Sequence, residues 1–302
     1  MKRSIVLVAA VSCLALVTSP AQAGTPHAFI DGRGNEWTVA LRDEVLAWAT
    51  SPSKDSYVSA VKVREGATAA QRISKTGTDA YVGNIEIGGP NGDVVLFFQG
   101  ANEGDGQWDA KLWDLQADAL LALPAGINTS KSEIYGAIGG DYLLFSRGPV
   151  GKPTAKVLLY RFSTQALTTL GTAPKGGNAT AGGLEGDYAS YTVCPRSYRC
   201  NVFRYTLSTG DRTKMPNPNR ANYYSSVTAD GTVYYVQGDP DSCGHHTKLV
   251  RFASGNATVL DQLPEGTEVG PTATFTDAGH VTMYFTRIQC QPFRSDIWSI
   301  TG

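Results

Sequence analysis

The chain has 302 residues, 26 basic and 27 acidic side chains, a formal net charge of −1 at neutral pH and 42% hydrophobic residues. That is enough apolar sequence for a sizeable core. No Lys/Arg run occurs, which argues against nucleic acid and anionic membrane surfaces as partners, because binding them needs concentrated positive charge.

Residues 1–23 read as a secretory signal peptide. Lys2 and Arg3 supply the charged start, Ile5 to Val17 the apolar stretch, and Ala21-Gln22-Ala23 a small-x-small cleavage site. The apolar run is too short to insert across a bilayer. Cys13 follows Ala10-Val11-Ser12, a poor lipoprotein box. The expectation is cleavage after Ala23 and a secreted, extracellular chain over 24–302. Without Lys2 and Arg3 the 24 remaining basic groups face 27 acidic ones, a net charge of about −3.

Down that chain one short segment recurs six times, an acidic or polar residue followed by bulky apolar residues and an aromatic. It starts at Asp43, Asp93, Asp141, Asp187, Thr232 and His280, with steps of 50, 48, 46, 45 and 48 residues. The runs are rich in Val, Tyr, Phe and Thr, are bounded by Gly, Pro and Asn, and show no helical period. A fixed period in that range with β-type runs predicts a propeller with one blade per repeat.

Each repeat divides into four strands, A to D. Strand A is Gly-rich and lightly apolar, as in Glu133-Ile134-Tyr135-Gly136-Ala137-Ile138, which suits the crowded centre. Strand B is the recurring aromatic segment. Strand C follows a variable loop, as in Lys111-Leu112-Trp113-Asp114-Leu115 and Leu158-Leu159-Tyr160-Arg161-Phe162. Turns such as Ser208-Thr209-Gly210-Asp211 lead to strand D. The last repeat has no strand D, and His27-Ala28-Phe29-Ile30 lies before the first strand A, free to fill that place. The fold class expected is all-β: one six-bladed propeller of four-stranded blades, closed by the N-terminal segment as outer strand of the last blade.

The repeat resembles that of TolB-like six-bladed propellers, in which Pro-Asp-Gly precedes an alternating strand and Ile/Leu-aromatic a second turn. Pro90-Asn91-Gly92, Ala229-Asp230-Gly231 and Ser295-Asp296-Ile297-Trp298 carry the resemblance, and Ile138-Gly139-Gly140, Leu184-Glu185-Gly186 and Ala278-Gly279 carry it in degraded form. It implies a propeller that serves as a docking platform, and it implies no activity.

Candidate chemistry gathers on the face shared by the B–C and D–A loops. Cys194, Cys200, Cys243 and Cys290 are an even set in an exported chain and read as disulfides, with Cys194–Cys200 and Cys243–Cys290 the favoured pairing. Amides and carboxylates stand near the start of strand A: Asn35 and Glu36, Asn84 and Glu86, Glu133, Asn178, Asn222 and Glu268. Of these, Glu86, Glu133, Asn178, Asn222 and Glu268 could converge on Ca²⁺, which wants six to eight oxygens. They could equally bind sugar hydroxyls, or simply cap turns. His245 and His246 follow Asp239 and Asp241 in a loop that could hold a transition metal or merely be solvated.

Trp108 with Asp105 and Asp109, Tyr198 with Arg196, and Phe293 place aromatic rings beside polar groups, which suits sugar faces or protein hot spots. Tyr223 and Tyr224 read equally well as strand packing. No Gly-x-Ser-x-Gly elbow occurs. Sequons stand at Asn128, Asn178 and Asn256. The function expected is a secreted non-catalytic binding module for a protein partner or surface glycan. The alternative is a Ca²⁺-dependent hydrolase or lyase with its metal at the channel mouth.

Overall fold

The computed structural model describes residues 27–30, 36–51, 59–74, 81–100, 106–195, 199–217, 221–238, 247–277, 280–290 and 293–301. Among them are 24 strands in six four-stranded antiparallel sheets. β1 (His27–Ile30) comes first in the chain and ends up at the outside of the last blade. Blade 1 is β2 (Glu36–Arg42), β3 (Val45–Thr50), β4 (Ala60–Glu65) and β5 (Gln71–Arg72); blade 2 is β6 (Tyr81–Gly88), β7 (Val94–Gly100), β8 (Trp108–Asp114) and β9 (Ala119–Leu121). Blade 3 is β10 (Ser132–Gly139), β11 (Tyr142–Gly148), β12 (Lys156–Arg161) and β13 (Ala166–Thr172); blade 4 is β14 (Asn178–Glu185), β15 (Tyr188–Cys194), β16 (Asn201–Thr206) and β17 (Arg212–Lys214). Blade 5 is β18 (Ala221–Val227), β19 (Val233–Gly238), β20 (Lys248–Ala253) and β21 (Asn256–Gln262); blade 6 is β22 (Thr267–Asp277), β23 (His280–Cys290) and β24 (Phe293–Thr301), completed by β1.

The innermost strands β2, β6, β10, β14, β18 and β22 touch in that order, and β2 touches β22. The ring is therefore closed, and β1 pairs antiparallel with β24 as the sequence led one to expect. This pairing ties the start of the chain to its end and covers an edge that would otherwise lie open.

No single core fills the molecule. Six apolar layers do, one between each pair of neighbouring blades. Strand B of each blade lies between two such layers, which explains its unbroken apolar run. In β7, Val94, Leu96 and Phe98 face blade 3, and Val95 and Phe97 face blade 1. A strand buried on one face only would alternate. The outer strands are short or exposed, β5 with two residues and β9 and β17 with three each.

The recurring Asp of the repeat has a structural task. Asp141, in the A–B turn of blade 3, accepts the amide of Phe162 on its carbonyl at 2.9 Å and the amide of Ser163 on Oδ1 at 2.8 Å. Asp187 does the same in blade 4 with Leu207 and Ser208, each at 2.8 Å. Each aspartate latches the C–D turn to the A–B turn, and hydrogen bonds from Ser163 and then Arg161 hold the Asp141 carboxyl below its ordinary range.

Every innermost strand also breaks register at one equivalent place, and the break aims side chains across blade boundaries. The shifts fall between Trp37 and Val39, Gly83 and Ile85, Ile134 and Gly136, Ala181 and Leu184, Tyr223 and Ser225, and Val269 and Thr272. Thr38, Asn84, Tyr135 and Tyr224 occupy the bulge in four blades with positive φ of 52°, 26°, 56° and 41°. A bulge frees ladder amides, and neighbouring blades take them up. Thr38 Oγ1 accepts the Ile85 amide at 3.0 Å, Asn84 Oδ1 accepts the Gly136 amide at 2.6 Å, and Ser146 Oγ accepts the Ala181 amide at 2.7 Å. The Thr38 amide donates to Thr286 Oγ1 of blade 6 at 3.2 Å.

Candidate functional site

These bulges shape a central shaft with two unlike ends. At the end where the B–C and D–A loops gather, a cavity of about 390 Å³ reaches the inner strands of blades 3 to 6. Tyr135, Tyr223 and Tyr224 line it together with Thr180 and Thr192, and the disulfide Cys194–Cys200 forms part of its wall. The left-handed backbone at Tyr135 and Tyr224 is what aims these positions out of the ordinary strand alternation. Tyr223 and Tyr224 meet edge to face with centroids 5.2 Å apart. Burial pushes the Tyr135 phenol above its ordinary range, so it stays a neutral hydrogen-bonding group.

The wall behind these rings is held by backbone contacts. The Cys200 carbonyl accepts the Asn222 amide at 3.1 Å and Asn217 Nδ2 at 3.0 Å. Gly177 is required beside the disulfide, since a Cβ there would stand 2.3 Å from the Cys194 carbonyl oxygen.

The opposite end is charged. A cavity of about 430 Å³ is lined there by Arg42, Asp43, Glu86, Glu185 and Asp230 with Thr228. Arg42 Nη1 lies 3.5 Å from Glu185 Oε2, joining blades 1 and 4 on opposite sides of the ring. Burial, then the nearby Glu185 carboxylate, push the Glu86 carboxyl up to about 8. Thr228 and Thr232 bond the Asp230 carboxylate and hold it below its ordinary range against the opposing effect of burial.

The five oxygen donors expected to ring one mouth do not do so, and the reason is register. Glu86 is the sixth residue of β6, which begins at Tyr81, so it lies at the charged end. Glu133 is fully buried: Arg147 Nε donates to its Oε1 at 2.7 Å, and Thr129 Oγ1 donates to the same oxygen at 2.8 Å. Asn222 is equally buried, its Nδ2 donating to the Pro216 carbonyl at 2.8 Å and its Oδ1 accepting from Gln237 at 3.1 Å. Both occupy the register position two residues before the bulge and pair with the strand B residue opposite, Arg147 and Gln237. Asn178 lines the cavity, but its Oδ1 accepts from Thr154 at 2.5 Å and its Nδ2 donates to Thr180 at 3.2 Å. Glu268 falls on β22 at the position equivalent to Glu133. No group of three His, Cys, Asp or Glu side chains suited to a metal ion occurs among the described residues.

The structure also moves Trp108 out of the loop in which the sequence placed it. It is the first residue of β8, paired with Gly100, and its half-buried ring covers that glycine and Gly83. A Cβ on Gly100 would stand 2.8 Å from the ring, so the glycine exists to receive the tryptophan. Asp109 is a surface group within 3.2 Å of Gln107 Nε2. Asp105, Arg196, Tyr198, Cys243, His245 and His246 lie outside the described residues, and with them the expected Cys243–Cys290 pairing. Phe293 and Cys290 fall at the start of β24 and the end of β23.

The sequence reading missed Tyr135, Thr180 and Thr192 at one end and Arg42, Glu185 and Asp230 at the other. Except for Thr192, which pairs with Thr180 from strand B, their common signal is position, immediately at or before the bulge or at the A–B turn, and the bulge has no glycine marker in four blades.

No known family profile matches the chain, and no curated protein matches it in sequence. Solved structures match it in fold. TolB from Acinetobacter baumannii superposes with a TM-score of 0.52 at 12% identity over 86% of this chain and 64% of its own. A putative TolB from Agrobacterium tumefaciens gives 0.52 at 12% identity over 80% and 82%. The β-propeller domain of the Trilobed protease from Pyrococcus furiosus gives 0.53 at 11% identity over 88% and 79%. The chain thus spans less than two thirds of the length of the first of these, and it is a TolB-like β-propeller in fold. At such identities the likeness reaches the fold and goes no further.

Proposed function

We propose that this chain is a secreted, non-catalytic binding module that receives a protein segment or a surface glycan at the tyrosine-lined mouth. The observation that carries the reading is the cavity of about 390 Å³ into which Tyr135, Tyr223 and Tyr224 converge beside the Cys194–Cys200 disulfide. Its volume falls in the range of small-ligand sites, and rings with hydroxyl groups suit a sugar face or an inserted side chain. The walls are pre-formed by bulges and backbone hydrogen bonds, so little ordering cost attends binding. Export rests on the signal-like residues 1–23.

The calcium-dependent alternative, in the form of Glu86, Glu133, Asn178, Asn222 and Glu268, has a weaker basis. Glu133 and Asn222 spend their oxygens inside the wall, and Glu86 faces the other end of the shaft.

The test compares Tyr135→Asn and Tyr224→Asn with the unaltered protein, since Asn tolerates a left-handed backbone while removing the ring. The readouts are capture of protein from culture medium and binding to a glycan array. The reading expects a ligand in one arm that both variants lose without a change in unfolding midpoint. Retention by both variants, or no ligand in either arm, overturns it.

A further inference from the structure

The charged end of the shaft holds an arrangement that ligand capture at the other end does not use. In a six-membered ring, blades 1 and 4 are separated by two blades on either side. Arg42 nevertheless reaches Glu185 across the axis at 3.5 Å, with Glu86 of blade 2 lining the same cavity. The guanidinium is fixed from behind, because its Nε and Cδ pack on Gly92, where a Cβ would stand 2.7 Å from Nε. We propose that Arg42, Glu185 and Glu86 form a proton-controlled brace across the shaft. With Glu86 protonated, Arg42 holds Glu185 of the opposite blade; loss of that proton divides the guanidinium between two carboxylates and loosens the cross-axis link.

Glu86 is the member suited to this task. Its one hydrogen bond among the described residues is a long one, 3.4 Å from the Ile87 amide. The charged groups that face it among the described residues are mostly acidic. β2 brings Arg42, the β2–β3 turn Asp43, β14 Glu185 and the β18–β19 turn Asp230, whose charge is already satisfied by Thr228 and Thr232. Among the described residues, β22 and β23 contribute Thr274 and Val281 to this cavity, β7 places Leu96 opposite Glu86, and β10 brings Ile138 against Gly88. Arg42 is therefore the one cation in the cavity lining among the described residues, and two carboxylates compete for it. Burial and the Glu185 charge delay the ionisation of Glu86 to about 8, so competition begins only above neutral pH.

A double-mutant cycle tests the brace. Arg42→Gln, Glu185→Gln and the pair are compared by urea midpoint at about pH 6.5 and about pH 9.5, in the natural background and with Glu86→Gln. The expected result is a non-additive midpoint shift that is present at the lower pH, falls by about half or more at the higher pH, and stays constant in Glu86→Gln. Coupling that ignores pH, or that keeps its pH dependence without Glu86, overturns the proposal. Should a variant fail to fold, carbon NMR of the Glu86 carboxyl and nitrogen NMR of Arg42 are recorded on the unaltered chain. Both signals are expected to move together with a midpoint near 8. A midpoint in the ordinary carboxylate range, or an Arg42 signal that does not follow Glu86, overturns it equally.

Discussion

Arg147 Nε lies 2.7 Å from Glu133 Oε1, on adjacent strands of blade 3, and Glu133 has no exposed surface. The guanidinium goes on to donate through its Nη2 to the carbonyls of Gly126 and Ile127, at 2.6 and 2.8 Å. One side chain thus neutralises a buried carboxylate and ties down the D–A connection that leads into blade 3. The Asn222–Gln237 contact in blade 5 repeats this at the same register position with neutral groups.

The expected consequence is asymmetry between the two partners. Arg147→Met strands a buried charge and should cost about 3–5 kcal/mol. Glu133→Gln keeps the acceptor oxygen and removes the charge, so its cost should be roughly 1–2 kcal/mol. Urea unfolding of both variants checks this, and an equal loss in the two would place the carboxylate's role elsewhere.

The bulges give a second contrast, between two buried serines. Ser146 Oγ holds the Ala181 amide at 2.7 Å, whereas Ser225 Oγ has no hydrogen-bond partner among the described residues. Ser146→Ala should therefore cost about 1–3 kcal/mol by stranding a buried donor, and Ser225→Ala should be neutral or slightly stabilising. Thermal unfolding separates them. Gly182→Ala offers an internal control for the closeness of blades 4 and 5. Its Cβ would stand 2.4 Å from Ser225 Oγ and 2.5 Å from the Ser225 carbonyl oxygen, a clash that Ser225→Ala relieves only in part.

These contacts also show which parts of the fold could be read from sequence. The blade period was legible because strand B is buried on both faces, so Val94 to Phe98 reads as one apolar run whatever the register. Closure by β1 was legible because the last repeat stops at strand C. The site was not legible, because it depends on the register of strand A, where a one-residue difference reverses which side of the strand faces the shaft. Glu133 and Tyr135 are two residues apart, yet the bulge at Tyr135 buries the first in the wall and brings the second to the cavity. Glycine would have marked such a bend, but Thr38, Asn84, Tyr135 and Tyr224 do not. Trp108 misled for a related reason: its polar neighbours hid that it begins a strand and covers Gly100.

The Cys194–Cys200 disulfide spans six positions. Closing so short a loop in the unfolded chain stabilises by roughly 2–2.5 kcal/mol in the loop-entropy description. The Cys200 carbonyl is anchored independently by Asn222 and Asn217. Cys194→Ser with Cys200→Ser should thus lower the urea midpoint by an amount of that order, while the ligand capture proposed for the tyrosine mouth should survive. Loss of capture at unchanged stability would show that the bridge shapes the site directly.

Stability should also depend on pH through Glu86, and the sign is fixed by linkage. The folded chain holds this proton up to about pH 8, whereas an unstructured glutamate, at 4.5, has lost it well below that. Between those values the native state binds one proton more than the unfolded state, so stability declines as pH rises and levels off above 8. The ceiling on that decline is roughly 5 kcal/mol at about 1.4 kcal/mol per pH unit, and partial solvent access at the cavity lowers it to about half. Glu86→Gln removes the titrating group and keeps the hydrogen-bonding shape. Urea midpoints from about pH 5 to about pH 9 should fall for the unaltered chain and stay nearly level for the variant over the same range. Parallel curves for the two would mean that the decline comes from other groups and that Glu86 ionises normally in the folded shaft.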